Sequence, residues 1–183
     1  MKILMTLLFL MIPITSFALP QMRGLRVDPA YFYHLYSDWS AQEIANKVVE
    51  SAKSANVNTL YLYAYSPVHG AFYKTSYPLA HVEIDLGNKE IFKEIAQLAW
   101  QQEMKVIAVI PINDFKSVWD ERADWRSKKN NGEDYQPFTR THFLSVWHPE
   151  FRKWYAGFVD DLIKKFPQLY AVEAMKPTID CLW

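Results

Sequence analysis

The sequence predicts a parallel α/β fold built as the N-terminal half of a TIM-type (β/α)8 barrel. Three observations carry that expectation. Short apolar runs alternate with longer segments whose apolar residues recur at helical spacing. The long polar and aromatic loops follow the runs and do not precede them, as in folds that build sites at the carboxyl ends of strands. Two architectures share this order, a doubly wound sheet and a barrel. The first turn, Asp28-Pro29-Ala30-Tyr31, lacks the glycines of a dinucleotide-binding sheet. The chain has only five glycines and no GxGxxG or Walker loop, which favours the barrel.

The elements follow in order. Met22 to Asp28 reads as a first strand and Ala30 to Trp39 as an aromatic loop. Ser40, with Glu43 three residues on, has the pattern of a capping box opening a helix to about Ala55. Ile44, Val48, Val49 and Ala52 form its apolar stripe. Asn58 to Tyr65 is a second strand, apolar or aromatic on both faces, so both must be covered. It breaks at Ser66-Pro67 into a loop carrying His69, Phe72, Tyr73 and Tyr77. Asn88 is placed to cap a helix from Glu90 to Gln102, buried through Ile91, Ile95, Leu98 and Ala99. Met104 to Ile112 is a third, almost continuously apolar strand. The segment from Phe115 to Trp147 is too long for a plain connection and is expected to be functional or to hold small elements of its own. His148-Pro149-Glu150 opens a third helix with proline at an early position. Phe151, Trp154, Tyr155, Phe158, Val159, Leu162 and Ile163 line its broad apolar face, and Pro167 ends it. Leu169 to Ala174 is a fourth strand.

The chain has 183 residues, against roughly 250 for a complete barrel. Four strands out of eight leave two apolar edges, an aggregation hazard. The expectation is a domain over residues 19–183, truncated after the fourth strand, or a homodimer if the half barrel is the whole protein. Twenty basic and twenty acidic residues balance, so there is no electrostatic footprint for nucleic acid. Lys2, the apolar run Ile3 to Ile14 and Ser16-Phe17-Ala18 ahead of Leu19-Pro20 have the form of a cleaved signal peptide over residues 1–18. That implies a periplasmic or secreted protein with no stable membrane insertion. Cys181 is the single cysteine, so an internal disulfide is excluded.

The chain resembles the exported glycoside-hydrolase-like (β/α)8 barrels of bacteria. These include the family 10-like glycosyl hydrolases and the C-terminal barrel of the poly-β-1,6-N-acetylglucosamine processing enzymes. The resemblance rests on Arg23-Gly24 in the first strand, Ala55 to Tyr61 entering the second, and Ala71 to Ser76 in the following loop. It continues through Ile95 to Trp100, Met104 to Pro111, and Trp147 to Arg152. It implies a polysaccharide or oligosaccharide partner and carboxylate acid/base catalysis without a cofactor. Many relatives end the fourth strand with an acidic pair; here a single carboxylate, Glu173, stands there.

Glycoside hydrolysis usually needs two carboxyl groups flanking the bond. Glu173, an acid within an apolar strand, is the candidate general acid, because burial favours its protonated form. Lys176 is its expected partner, with a plain structural ion pair as the alternative. Asp114 after the third strand is the second catalytic candidate. Asn113 and Asp28 are candidates to hold sugar hydroxyls, against the plainer reading of turn residues. Tyr65, Tyr73, Trp119 and Trp147 belong to an aromatic set suited to stacking on pyranose rings, against loop packing. His34, His69, His81, His142 and His148 form no tight ligand pair, so no metal is expected. No G-x-S-x-G elbow starts a serine triad. Three readings follow: a glycan hydrolase, a non-catalytic carbohydrate-binding barrel, or an inactive truncated remnant.

Overall fold

Four strands pair side by side, all parallel, in the order in which they occur along the chain. The computed structural model describes residues 21–82 and 89–175. The strands are β1 (Gly24–Val27), β2 (Thr59–Tyr63), β5 (Lys105–Pro111) and β6 (Ala171–Met175). A doubly wound sheet reverses its strand order at a switch point; this sheet does not, so it has the winding of a barrel. The result is an α/β half barrel, as the sequence implies.

Helices α1 (Pro29–Leu35) and α2 (Ala41–Ser54) join β1 to β2. Helix α3 (Ile91–Gln101) precedes β5, and α5 (Pro149–Lys165) precedes β6. The capping box of α2 forms in full: Ser40 Oγ accepts from the Glu43 N–H, and Glu43 Oε2 accepts from the Ser40 N–H at 2.7 Å. That hydrogen bonding holds the Glu43 carboxyl below its usual range. The stripe Ile44, Val48, Val49 and Ala52 is buried and packs beside α3 and the sheet.

The structure corrects several expectations. Ala30 to Trp39 is not wholly a loop, because Asp28 Oδ1 accepts from the Ala30 N–H at 2.9 Å and Pro29 stands at the first helical position. Tyr65 leaves the main sheet and starts a two-residue hairpin, β3 (Tyr65–Ser66) with β4 (Gly70–Ala71). The long segment after β5, by contrast, holds small elements of its own as expected: α4 (Lys116–Glu121) and a 3-10 turn at Ala123–Trp125. Ile163 is 46% exposed rather than buried, since it falls at the rim of the α5 face. The expectations for the signal sequence, Asn88, Lys176 and Cys181 lie outside the described residues.

Aromatic rings bind α5 to the sheet. Trp154 and Phe158 stack at 5.4 Å with their planes 3° apart. Phe115 meets Trp154 edge-on at 5.1 Å, and Tyr65 meets Phe158 edge-on at 5.5 Å. Such offset and edge contacts add to the burial of the rings. Gly157 lets a further aromatic approach the helix: Tyr77 Oη donates to the Trp154 carbonyl at 3.0 Å, in the space a Cβ on Gly157 would take. Gly157→Ala gains about 1 kcal/mol of helix propensity. It also displaces a partly buried ring and breaks its hydrogen bond, at a cost of about 2–3 kcal/mol. The expected net loss, about 1–2 kcal/mol by urea unfolding, should shrink when Tyr77→Phe is added.

Candidate functional site

Strand β2 reads Thr-Leu-Tyr-Leu-Tyr, and its alternation separates two faces. Leu60 and Leu62 are fully buried under the helices. Tyr61 and Tyr63 point to the opposite face and are only half-buried. Register places Arg26, Tyr61, Ile107 and Ala171 in one row on that face, and Tyr63, Val109 and Glu173 in the next.

This face is concave. β1 and β6 are the outer strands of the sheet, three spacings or roughly 14 Å apart along a flat one. Yet Arg26 Nη2 donates to Glu173 Oε1 at 2.6 Å, across the whole sheet. The two side chains meet because the sheet curls around the axis they point toward. The Arg26 guanidinium also lies 5.3 Å from the Tyr61 ring centroid, and Tyr63 Oη contacts Met175 Sδ at 3.2 Å. The hydrogen bond to Glu173 is the main reason the Arg26 pKa rises above its ordinary value.

Glu173 is thus neither deeply buried nor alone. Its side chain is 28% exposed on the open inner wall, and its described partner is Arg26, 147 positions earlier. The expectation of an apolar setting fails because β6 turns Glu173 toward the barrel interior, away from the helices. Arg26, Tyr61 and Tyr63 were not picked out as site residues by sequence reasoning. The signal for them was the two-residue alternation of β2, with tyrosines on one side and leucines on the other.

The carboxyl-end loops are built by Asn113 and Asp114. Asp114 is 4% exposed; its Oδ1 accepts from the His142 N–H at 2.9 Å and lies 3.7 Å from His142 Nδ1. Asn113 Nδ2 donates to the Leu144 carbonyl at 3.1 Å. Together they pin residues 142–144 against the end of β5. Trp119, 7% exposed, packs edge-on to His142, under the Arg126 guanidinium at 4.8 Å. Nearby, a cavity of about 260 Å³ opens between the loops after β2 and β5. Tyr65, His81, Lys116, Ser117 and Asp120 line it, and Ser117 Oγ donates to the Leu79 carbonyl at 2.7 Å.

The aromatic candidates divide sharply. Tyr65 and Tyr73 are each 1% exposed; Tyr65 borders the cavity, whereas Tyr73 is wedged between Phe92 and Phe166 in the core. Trp147 is 82% exposed. Asp28 is the cap of α1, the turn role rather than a free carboxylate. Among the described residues, no group of three or more histidine, cysteine or acidic side chains is placed to hold a metal ion, and no helix is long and apolar enough to cross a membrane.

Burial pushes the Asp114 carboxyl up to about 6, from an ordinary 3.8, against the pull of the His142 N–H. Burial also lowers the pKa of His142, so the imidazole stays neutral near pH 7 and supplies no compensating charge. The native state therefore takes up a proton on Asp114 at higher pH than the unfolded chain. Stability falls as pH rises from about 4 through 6. Asp114→Asn is neutral throughout and still accepts from the His142 N–H. It should raise unfolding free energy at pH 7.5 by about 1–3 kcal/mol and flatten the slope between pH 4 and 7, measured by urea unfolding.

No family model matches this chain, and no curated protein matches it. Solved structures do. A hypothetical protein from Ruminiclostridium thermocellum superposes with a TM-score of 0.63 at 13% identity, over 81% of this chain and 73% of that one. An α-L-fucosidase (isoenzyme 2) from Paenibacillus thiaminolyticus gives 0.65 at 12% identity, over 85% of this chain and 24% of that one. A noncanonic maltogenic α-amylase from Thermotoga neapolitana gives 0.56 at 16% identity, over 86% and 39%. At these identities the likeness is one of fold alone, an α/β barrel, and this chain spans well under half the length of the two enzymes.

Proposed function

We propose that this chain forms part of an exported glycan-active barrel that hydrolyses a bacterial or environmental polysaccharide by carboxylate chemistry. The single observation carrying this reading is the Arg26–Glu173 pair on the open concave wall. It brings one carboxylate, from the middle of the fourth strand, onto the inward face, below the carboxyl end where barrel enzymes place reacting groups. The fold likeness to a fucosidase and an amylase supports a carbohydrate substrate. The resemblance to the family 10-like and poly-β-1,6-N-acetylglucosamine processing barrels narrows that class.

Paired with a guanidinium, Glu173 is suited to act as a carboxylate, a nucleophile or general base, more than as the proton donor the sequence suggested. Arg26 orients it, and Tyr61 and Tyr63 supply aromatic surface beside it. Asp114, committed to His142, supports the loop wall. The export signal at residues 1–18 would deliver the protein to the polysaccharide. In the rival reading the barrel only binds glycan; the lone carboxylate where relatives carry a pair, and the exposed Trp147, favour it.

Reducing-end release from β-1,4-glucan, starch and poly-β-1,6-N-acetylglucosamine tests the choice. Release by the chain, lost in Glu173→Gln, supports hydrolysis. Retention on an immobilised glycan with no release from any of the three, weakened by Trp147→Ala, supports the binding barrel and refutes the enzyme.

A further inference from the structure

A second groove lies at the opposite end of the molecule. Barrel helices run antiparallel to their strands, so the ends of α3 and α5 sit beside the amino ends of β5 and β6. Between them is a cavity of about 410 Å³. Lys93, Gln97, Trp100 and Gln101 line it from α3, and Lys165, Phe166 and Gln168 from the end of α5. The α3 residues fall at helical spacing on one face, and Gln97 and Gln101 are exposed. The Trp100 indole N–H is buried without a hydrogen-bond acceptor among the described residues. Its ring lines the groove, so its N–H signal reports on what occupies the groove.

We infer that this groove is a binding site for a neutral saccharide of one or two sugar units, separate from the concave wall. Its chemistry decides the ligand class. Three carboxamides offer both donors and acceptors, which suits hydroxyl groups. Each lysine already faces a carboxylate: Lys93 meets Glu90 at 3.3 Å, and Lys165 meets Asp161 at 3.9 Å. The groove also abuts the carboxyl ends of two helices, whose partial negative charge opposes an anion. Buried Phe166 gives an apolar floor for a ring face, and the volume falls within the usual range of small-ligand sites. The site is a binding site only; it stands whether or not the concave wall is catalytic.

The test is a titration of the full chain with cellobiose and with maltose, followed by nuclear magnetic resonance of the indole N–H signals. Trp100→Phe assigns the signal that vanishes. The expected result is a saturable shift of that signal with at least one disaccharide. Affinity should fall at least tenfold in the Gln97→Ala/Gln101→Ala variant, whose changes are at exposed positions. Glu173→Gln should leave the shift unchanged, which separates this site from the proposed catalytic wall. No saturable shift with either disaccharide overturns the inference. So does a shift that survives in the glutamine variant, or one that inorganic phosphate or glucuronate produces equally well.

Discussion

Glu173→Gln is expected to lower glycan turnover by about 10²–10⁴-fold, the span associated with loss of a positioned acid or base. The same change should leave glycan binding within a few-fold of the parent and the fold intact. The reason is geometric. Glutamine keeps an oxygen where Glu173 Oε1 accepts from Arg26, so the bridge across the sheet persists as a neutral–cation hydrogen bond. What disappears is the negative charge. The folding cost should be small, because the Arg26 side chain is 51% exposed and water screens the pair. Turnover and thermal unfolding measured on one preparation separate these effects. A variant with parent-like turnover would remove Glu173 from the chemistry, and one that unfolds would make the pair structural. Arg26→Gln gives the complementary result: the carboxylate remains but swings free, so turnover drops while charge at the wall becomes more negative.

The parts of the fold legible in the sequence are those written in local patterns. Ser40 and Glu43 announce a helix start with a reciprocal pair of hydrogen bonds, and the structure forms both. The parallel α/β class followed from where the loops lie, and the glycine-poor first turn favoured the barrel over a doubly wound sheet. Helix α1 was missed because Ala30 to Leu35 has no apolar stripe, although Asp28-Pro29 carried its cap and first position. The site was less legible for a different reason. Arg26 and Glu173 are 147 positions apart, and no spacing rule joins the two outer strands of a curled sheet. Aromatic residues in one loop also look alike on paper. Tyr73 and Tyr77 differ by four positions, but Tyr73 is buried between rings while Tyr77 reaches a helix carbonyl through a missing Cβ. Asp114 reads equally as a sugar ligand or a turn residue until His142 is brought to it from 28 positions away.

Phe158→Ala should be among the most destabilising single changes in the aromatic core, costing about 3–5 kcal/mol. Phe158 is fully buried and meets four rings: Trp154 at 5.4 Å, Tyr65 at 5.5 Å, Phe115 at 5.9 Å and Tyr77 at 6.0 Å. Those rings come from α5, from the start of the β3 hairpin, from the start of the connection after β5 and from the loop before α3. Truncation therefore opens a cavity that four separate segments would have to move together to fill, and a site that cannot collapse carries the larger cost. Domains of this size are stable by roughly 5–15 kcal/mol, so the change removes a large share of the total. In thermal unfolding, the midpoint should fall by about 6–20 °C. Phe158→Leu, which keeps much of the volume, should lose less than half as much. The effect should also reach the carboxyl end. Tyr65 shares its hydroxyl with Ser117 at 3.3 Å and borders the cavity between the loops. When Phe158 is removed, Tyr65 loses the ring it leans on, and amide exchange at Tyr65 to Ala71 should accelerate more than at the capped start of α2. Equal acceleration at both places would mean that the aromatic cluster stabilises the fold globally without bracing that loop.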